Sequence, residues 1–415
     1  MSQYETVRRR GSVYVAVLGG ALLLTVIGVS TLTVLRLGGR SARASSDFAD
    51  ARLHARSALE MGLLRIDTDA NWRTNNPDGE WIAKSAVGRG FYSLEGVDPS
   101  DGQLAGDDTQ PVVLTGEGLA GTARFQLQVQ LQAEVRPLEA LRTCIHAAGA
   151  FDLKGGRALT VSGAPASSNN EFRLESGATV TGSVEAGTLS NGGTITGSTT
   201  VPAAPKGAPS SEVVDLYVAL GTPLAVSGTA RGFVLSANVN PFGATNADGV
   251  YYIDTAGSDL TIENARIVGT LVVRCPGNSV VIDKTVLMRP HREDYPVLIV
   301  DGNLELTFDS TAVSLSEADE GVNFNPAGAP YLGVSDADKV DVYPSEIRGL
   351  VHARGAITLK NTARVRGTVL GESSATSDGD NQIIYNSKLY AYPPYGYTQP
   401  PIMKIAPGSW RQIVD

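Results

Sequence analysis

Residues 172–184 read FRLESGATVTGSV, and residues 357–369 read ITLKNTARVRGTV. Laid one over the other, they match in apolar character at five places: Phe172/Ile357, Leu174/Leu359, Ala178/Ala363, Val180/Val365 and Val184/Val369. Both carry glycine at the same position, Gly182 and Gly367. Residues 260–271 (LTIENARIVGTL) repeat the pattern one residue shorter with Gly269 at the glycine position, and residues 304–315 (LELTFDSTAVSL) are a looser fourth copy. Each copy is two short alternating strands about a small or Asn-containing corner. A repeat of about twenty residues cannot bury its own apolar face and must stack on its neighbours, which predicts a parallel β-helix, or solenoid. An irregular β-sandwich of similar hairpins is the competing fold, but polar corners at such short intervals favour the solenoid. Gly182, Gly269 and Gly367 are then expected at equivalent corners, with Leu174, Ile262 and Leu359 pointing inward. The repeat domain is placed at 144–390, interrupted by loops at 202–212 (PAAPKGAPSSE) and 318–342. The aromatic, Pro-rich tail, 391–415, reads as a cap over the open end of the stack.

Upstream of the repeats the pattern changes. Phe125, Leu127, Val129, Leu131, Ala133 and Val135 alternate with Gln126, Gln128, Gln130, Gln132 and Glu134, a strand with one buried and one wet face. Residues 90–94 and 111–115 read as further strands around an acidic, Gly-rich loop at 98–108. Before them, Phe48, Ala51, Ala55, Ala58, Leu59, Leu63 and Ile66 fall at helical spacing, until the turn residues at 71–79 (NWRTNNPDG) end the helix. Residues 36–143 are therefore expected to form a helix plus antiparallel-strand unit. Residues 12–35 contain no charge; as a helix they reach about 36 Å, enough to cross a bilayer. No proline precedes Pro77, so this segment and the amphipathic stretch are expected to be one rod. A cleaved secretory signal with Ala42-Arg43-Ala44 as its site is the alternative, although the apolar run is long for one. Arg8, Arg9 and Arg10 abut the apolar start and make 1–11 a basic leader, placing the N-terminus in the cytoplasm. The predicted class is mainly β, with a long transmembrane-to-amphipathic helix, a small α+β unit and a parallel β-helix-like repeat domain.

Composition removes several functions. Of 415 residues, 42% are hydrophobic and 46 are Gly, against a typical glycine share of about 7%, so the chain is neither disordered nor built mainly of helices. The net charge is −9, and since residues 1–46 carry +5, the remainder carries −14. An acidic body argues against nucleic-acid binding. With two cysteines, Cys144 and Cys275, no CxxC site exists; the pair could form a disulfide outside the cytosol if their Cα atoms approach. The four histidines, His54, His146, His291 and His352, show no metal-ligand spacing, and no P-loop, serine elbow or dinucleotide fingerprint occurs. The acidic stretches at 98–108 and 378–380 lack EF-hand order. Asp301, Glu305 and Asp309, the knot His291-Arg292-Glu293-Asp294, and the aligned Glu175 and Glu263 do not form the paired carboxylates that sugar cleavage needs. No catalytic residue, cofactor or metal site is assigned.

Arg8-Arg9-Arg10-Gly11 followed at once by a long apolar helix resembles a type IV prepilin leader, and residues 47–64 (DFADARLHARSALEMGLL) resemble the N-terminal region of PilX-type minor pilins and pseudopilins. The repeats and the ending at 390–397 and 407–411 are similar to large bacterial PilX-like proteins with a β-solenoid ectodomain. The resemblance implies cleavage by a prepilin peptidase between Gly11 and Ser12. It also implies packing of the apolar helix against those of other pilin or pseudopilin subunits. The position that prepilins usually fill with Glu is Ala16 here, a loss shared with some minor tip pseudopilins. The expected function is a non-enzymatic structural subunit of a type IV pilus-like or type II secretion-like assembly. It would be a single-pass protein of the bacterial inner membrane with its ectodomain in the periplasm or at the cell surface. The alternatives are a membrane-tethered carbohydrate-binding or carbohydrate-cleaving β-helix and a self-polymerising solenoid.

Overall fold

The computed structural model describes residues 8–310 and 314–414. The chain divides into two compact units, Met1–Val135 with Pro401–Asp415, and Arg136–Pro400.

In the first unit an unbroken helix, α1 (Arg8–Thr68), runs through the apolar segment and into the amphipathic one, as the absence of proline allows. Four strands follow: β1 (Gly79–Val87), β2 (Gly90–Val97), β3 (Val112–Ala120) and β4 (Ala123–Glu134). They pair in chain order as an antiparallel meander. On β4 the alternation holds, with Phe125, Val129 and Leu131 buried, and the strand ends one residue before the exposed Val135. Residues 51–59 of α1 lie on this sheet, where Ala51, Ala55, Ala58 and Leu59 are wholly buried. Small residues face each other here: a Cβ on Gly118 of β3 would overlap the Ala51 carbonyl oxygen and stand 2.5 Å from the Ala55 nitrogen. The helix backbone therefore rests against the strand backbone, which only glycine permits.

The tail corrects the sequence reading. Strands Ile402–Ile405 and Arg411–Ile413 both pair antiparallel with β4 and complete the sheet of the first unit. Residues 391–415 are thus not one cap, because the open hydrogen-bonding edge of β4 takes up their second half. The boundary also shifts: Leu138, Ala140 and Leu141, assigned by sequence to the helix-plus-strand unit, are buried in a cluster of the second unit.

The second unit is a parallel, solenoid-like sheet of 19 strands among the described residues. Its inward columns follow the aligned repeats. Ala230, Ile262, Ile282, Leu306, Leu359, Ser377, Leu153 and Leu174 stand in register, rung on rung. Leu174, Ile262 and Leu359 share one buried core, and Phe151 stacks on Phe172 with ring centroids 4.4 Å apart. Gly349 pairs with Gly367 across one corner; Gly197 donates to the Gly182 carbonyl, and Thr270, next to Gly269, to that of Gly249. A Cβ on Gly197, Gly269 or Gly367 would overlap the backbone of the rung beneath, so glycine lies on glycine where the chain turns. At the other repeated corner Asn264 and Asn361 take φ of 49° and 57°, the left-handed conformation that Asn tolerates best after Gly.

The order of the rungs is not the order of the chain. The coil begun at Ile145–Ala147 sits inside the stack, and the chain winds away from it to Thr199–Thr200. It then crosses 202–212 and the helix Val213–Leu220, restarts at Thr222–Pro223, and winds back until 369–371 pair with 145–147 and 381–384 with 159–162. Pattern matching predicts that rungs stack but not in what order, because every rung offers its neighbour the same apolar columns. The fourth copy holds only as far as Phe308: Ser314–Ser316 instead pairs antiparallel with Val342–Pro344, as the corner opens into a long excursion. Val250, Val272, Ile299, Leu350 and Leu370 form a second apolar layer on one side of the stack, covered by Val213, Tyr217, Leu141, Leu389 and Tyr397. The aromatic stretch at 390–397 therefore contributes to covering a flank rather than an open end.

Candidate functional site: the bare helix and the polar clusters of the stack

The apolar half of α1 has no partner within the described chain. From Val13 to Leu37 its large apolar side chains are more than half exposed, and mean hydropathy reaches 2.2 over a helix long enough to cross a membrane. The hydroxyls of Thr25, Thr31 and Thr33 donate to the carbonyl oxygens of Ala21, Ile27 and Val29 at 2.5, 2.8 and 2.8 Å, so these three hydroxyls are satisfied within the helix without water. A Cβ on Gly19, Gly20 or Gly28 would meet nothing within 4 Å, and a second helix could approach closely there. Gly11 and Ser12 fall inside α1; residues 1–7 of the basic leader lie outside the described residues. Lower down, α1 and β4 flank an apolar groove of about 1190 Å³ lined by Phe48, Leu53, Leu63, Phe125, Leu127 and Trp410, with Phe48 edge-on to Phe125 at 5.5 Å.

The carboxylates weighed for sugar chemistry are spread along the stack and paired. Glu175 accepts from Lys154 at 3.0 Å and from the Gly155 nitrogen at 3.0 Å, and these bonds hold its carboxyl below the ordinary range. Glu263 meets Lys284 at 2.8 Å, Glu305 meets Lys360 at 2.7 Å and Asp301 meets Arg354 at 3.2 Å. These pairs bridge neighbouring rungs; those open to solvent, such as Lys154–Glu175, contribute about 0–1 kcal/mol each, whereas the Glu263 carboxylate is largely buried. In the loop 291–294, Arg292 is shared by Asp248 and Asp294. In the 98–108 loop Asp98, Asp101 and Asp107 accept from the backbone nitrogens of Ser100, Gln103 and Thr109, ordinary turn chemistry.

Cys144 and Cys275 are both free and buried, which corrects the possible pairing. The register Leu271–Leu298–Val351–Val369–Ile145 places them four rungs apart, about 19 Å at 4.8 Å per rung, far beyond disulfide reach. Burial pushes both thiols up, Cys275 to about 11 with a contribution from Asp301 and Asp259. Two histidines lie buried on the covered flank. His352 contacts the Tyr397 hydroxyl at 3.0 Å and Glu372 at 2.9 Å; His146 contacts Ser167 at 3.1 Å while its Nε2 has no partner. Burial, with Lys206 nearby, lowers His146 to about 4.

The sequence reading missed one cluster. In the 309–345 excursion, Glu317, Asp336 and Asp341 bring one carboxylate oxygen each to within 4.8 Å of one another. The only sequence signal is the density of Asp, Glu and Asn between 317 and 341, and spacings of up to 24 residues hide it.

No protein-family model matches the chain, and a search of curated proteins finds no match. Solved structures that match include the competence-associated pilin ComZ from Thermus thermophilus, at 12% identity over 89% of this chain and 98% of that one, with a TM-score of 0.23. An ice-binding protein from an Antarctic biological consortium is 12% identical over 59% of this chain and 88% of that one, TM-score 0.25. An ice-binding protein from the Antarctic ascomycete Antarctomyces psychrotrophicus is 13% identical over 59% and 95%, TM-score 0.21.

Proposed function

We propose that the protein is a non-enzymatic subunit of a type IV pilus-like or type II secretion-like assembly, of the PilX-like minor pilin or pseudopilin kind. The observation that carries this reading is α1: one unbroken helix, bare and apolar over 12–35, then seated by small residues on an antiparallel sheet. Such a helix can rest in a bilayer and later exchange lipid for the helices of other subunits, because both environments are apolar. The prepilin-like leader at 8–11 adds the means of release, cleavage between Gly11 and Ser12 by a prepilin peptidase. In this reading the N-terminus is cytoplasmic, the membrane is the bacterial inner membrane, and the parallel stack is displayed outside it.

The test is N-terminal sequencing and intact mass of protein extracted from its native membrane. A mature chain beginning at Ser12 is expected. One beginning at Met1 or Ser2 rejects processing, and one beginning at Ser45 makes the segment a secretory signal. The second reading, a tethered carbohydrate-active β-helix, is favoured only by the exposed stack. It is tested by incubation with uronic-acid and neutral polysaccharides, and robust product formation lost on changing Glu175 or Glu263 would replace the structural reading.

A further inference from the structure

We propose that a cleft on the parallel stack, lined by arginines of three consecutive rungs, binds the carboxylate of an acidic sugar. Arg289, Arg348 and Arg366 each follow a buried residue, Met288, Ile347 and Val365, so their side chains leave the core on one face. Arg348 pairs in register with Arg366, and Arg289 comes directly after the Met288–Ile347 pair. The three cations therefore stand on neighbouring rungs, about 4.8 Å apart. Like charges opposite one another destabilise a sheet, and a single acid answers two of these three. Glu346 accepts from the Arg348 Nε at 2.5 Å and from the Arg366 Nε at 2.6 Å. Among the described residues the terminal guanidinium nitrogens of both have no partner. Arg289 makes no hydrogen bond or ion pair with any of them, and its Nε is buried without one.

All three arginines border a cleft of about 650 Å³, together with Tyr385, Asn386, Ser387 and Tyr392. The other charges at the cleft have partners: Lys388 meets Glu293 at 3.4 Å, and Arg292 meets Asp294 at 2.7 Å and Asp248 at 3.0 Å. With Glu346 included, five cations face four acids, a surplus of one positive charge. A carboxylate brings one negative charge and closes that balance, whereas a phosphate brings about 1.5 to 2. The planar guanidinium fork also fits a carboxylate edge with two parallel bonds. Beside the arginines, Tyr392 is 76% exposed, and its ring offers an apolar body with a polar tip to a flat, hydroxylated ligand. Asn386 and Ser387 supply donors and acceptors for hydroxyls. A sugar ring that carries a carboxylate combines these demands, while the C-terminus of a peptide meets only the charge. Binding here goes beyond the subunit reading and does not depend on α1 or its leader.

The experiment titrates the full chain in detergent, by calorimetry, with a galacturonate trisaccharide, its methyl ester, inorganic phosphate and a short peptide with a free C-terminus. One galacturonate trisaccharide per chain is expected, weakened by added salt. The methyl ester, which keeps the ring and loses the charge, should bind at least about tenfold more weakly, as should phosphate and the peptide. Arg289→Gln removes a side chain with no partner to lose, so it should weaken the trisaccharide at least about tenfold with an unchanged far-UV spectrum and urea midpoint. Arg366→Gln is the second variant, with the same expectation for binding. Arg157→Gln, on an exposed arginine paired with Asp378 elsewhere on the stack, should leave binding as it is. No trisaccharide heat at millimolar concentration, equal binding of the methyl ester, or undiminished binding in both Arg289→Gln and Arg366→Gln would each overturn the site. Tighter binding of phosphate or of the peptide would overturn the acidic sugar as its ligand.

Discussion

Gly118→Ala tests the seat of α1 on its sheet. The new methyl would overlap the Ala51 carbonyl oxygen, and would stand 2.5 Å from the Ala55 nitrogen and 2.9 Å from the Ala51 carbonyl carbon. All are backbone atoms, so no side-chain rotation relieves the clash. To restore ordinary separations of about 3.5 Å the helix must lift by roughly 1 Å or more, and a gap of that size forfeits a quarter to a half of each contact it opens. Ala51, Ala55, Ala58 and Leu59 give up full burial together. Overpacking typically costs 1–3 kcal/mol, and a backbone collision lies at the upper end, about 3 kcal/mol. With a urea m-value of about 1–3 kcal/mol/M the midpoint falls by about 1 M or more. The assay can be confined to the first unit, since the chain's three tryptophans, Trp72, Trp81 and Trp410, all belong to it. Tryptophan emission of Gly118→Ala should therefore shift its urea transition. The reciprocal variant is Gly367→Ala, whose methyl would overlap the Gly349 backbone in the second unit; it should shift the far-UV transition of the parallel stack. A Gly118→Ala tryptophan transition that superimposes on the parent curve would refute backbone-to-backbone packing of α1 on β3.

Leu359→Asp places a carboxylate with no partner in the buried column between Leu306 and Ser377; a loss of about 3–5 kcal/mol in the far-UV urea transition is expected, and a loss under about 1 kcal/mol would remove Leu359 from the interior. Cys144 and Cys275 should react with a thiol reagent only after denaturation, releasing two equivalents with or without prior reductant; a single band shift on reduction would contradict the four-rung separation. His146 has a folded-state value of about 4 against an ordinary 6.5, so the unfolded chain binds the extra proton between those pH values. Stability is full above about pH 6.5 and is lost as pH falls towards 4, by up to about 3 kcal/mol from this group. His146→Gln should flatten that part of the pH profile of urea midpoints, and an unchanged slope would show that the imidazole is solvated.

What could be read in the chain before folding was whatever repeats locally. The apolar rod follows from 24 uncharged residues with no proline, the amphipathic continuation from spacings of three and four, and β4 from strict alternation with glutamine. The solenoid character and its inward residues, Leu174, Ile262 and Leu359, follow from two-residue periodicity plus a recurring corner glycine. Each is a property of neighbours in sequence, which backbone geometry converts directly into a face.

Tertiary structure alone decided which edges met. Ile402–Ile405 joins β4 from beyond the whole second unit, and 369–371 close on 145–147, because a strand edge is satisfied by any segment of fitting pattern delivered to it. Nothing local distinguishes one rung's apolar columns from another's, so chain order and spatial order come apart. The same holds for side chains that act in groups. Cys144 and Cys275 lie four rungs apart despite being the chain's only two cysteines, while Glu317, Asp336 and Asp341 converge because the hairpin of Ser314–Ser316 with Val342–Pro344 closes the excursion behind them. Sequence set the faces, and three-dimensional closure set the neighbours, since a face is determined by bond geometry and a neighbour by the packing of the whole.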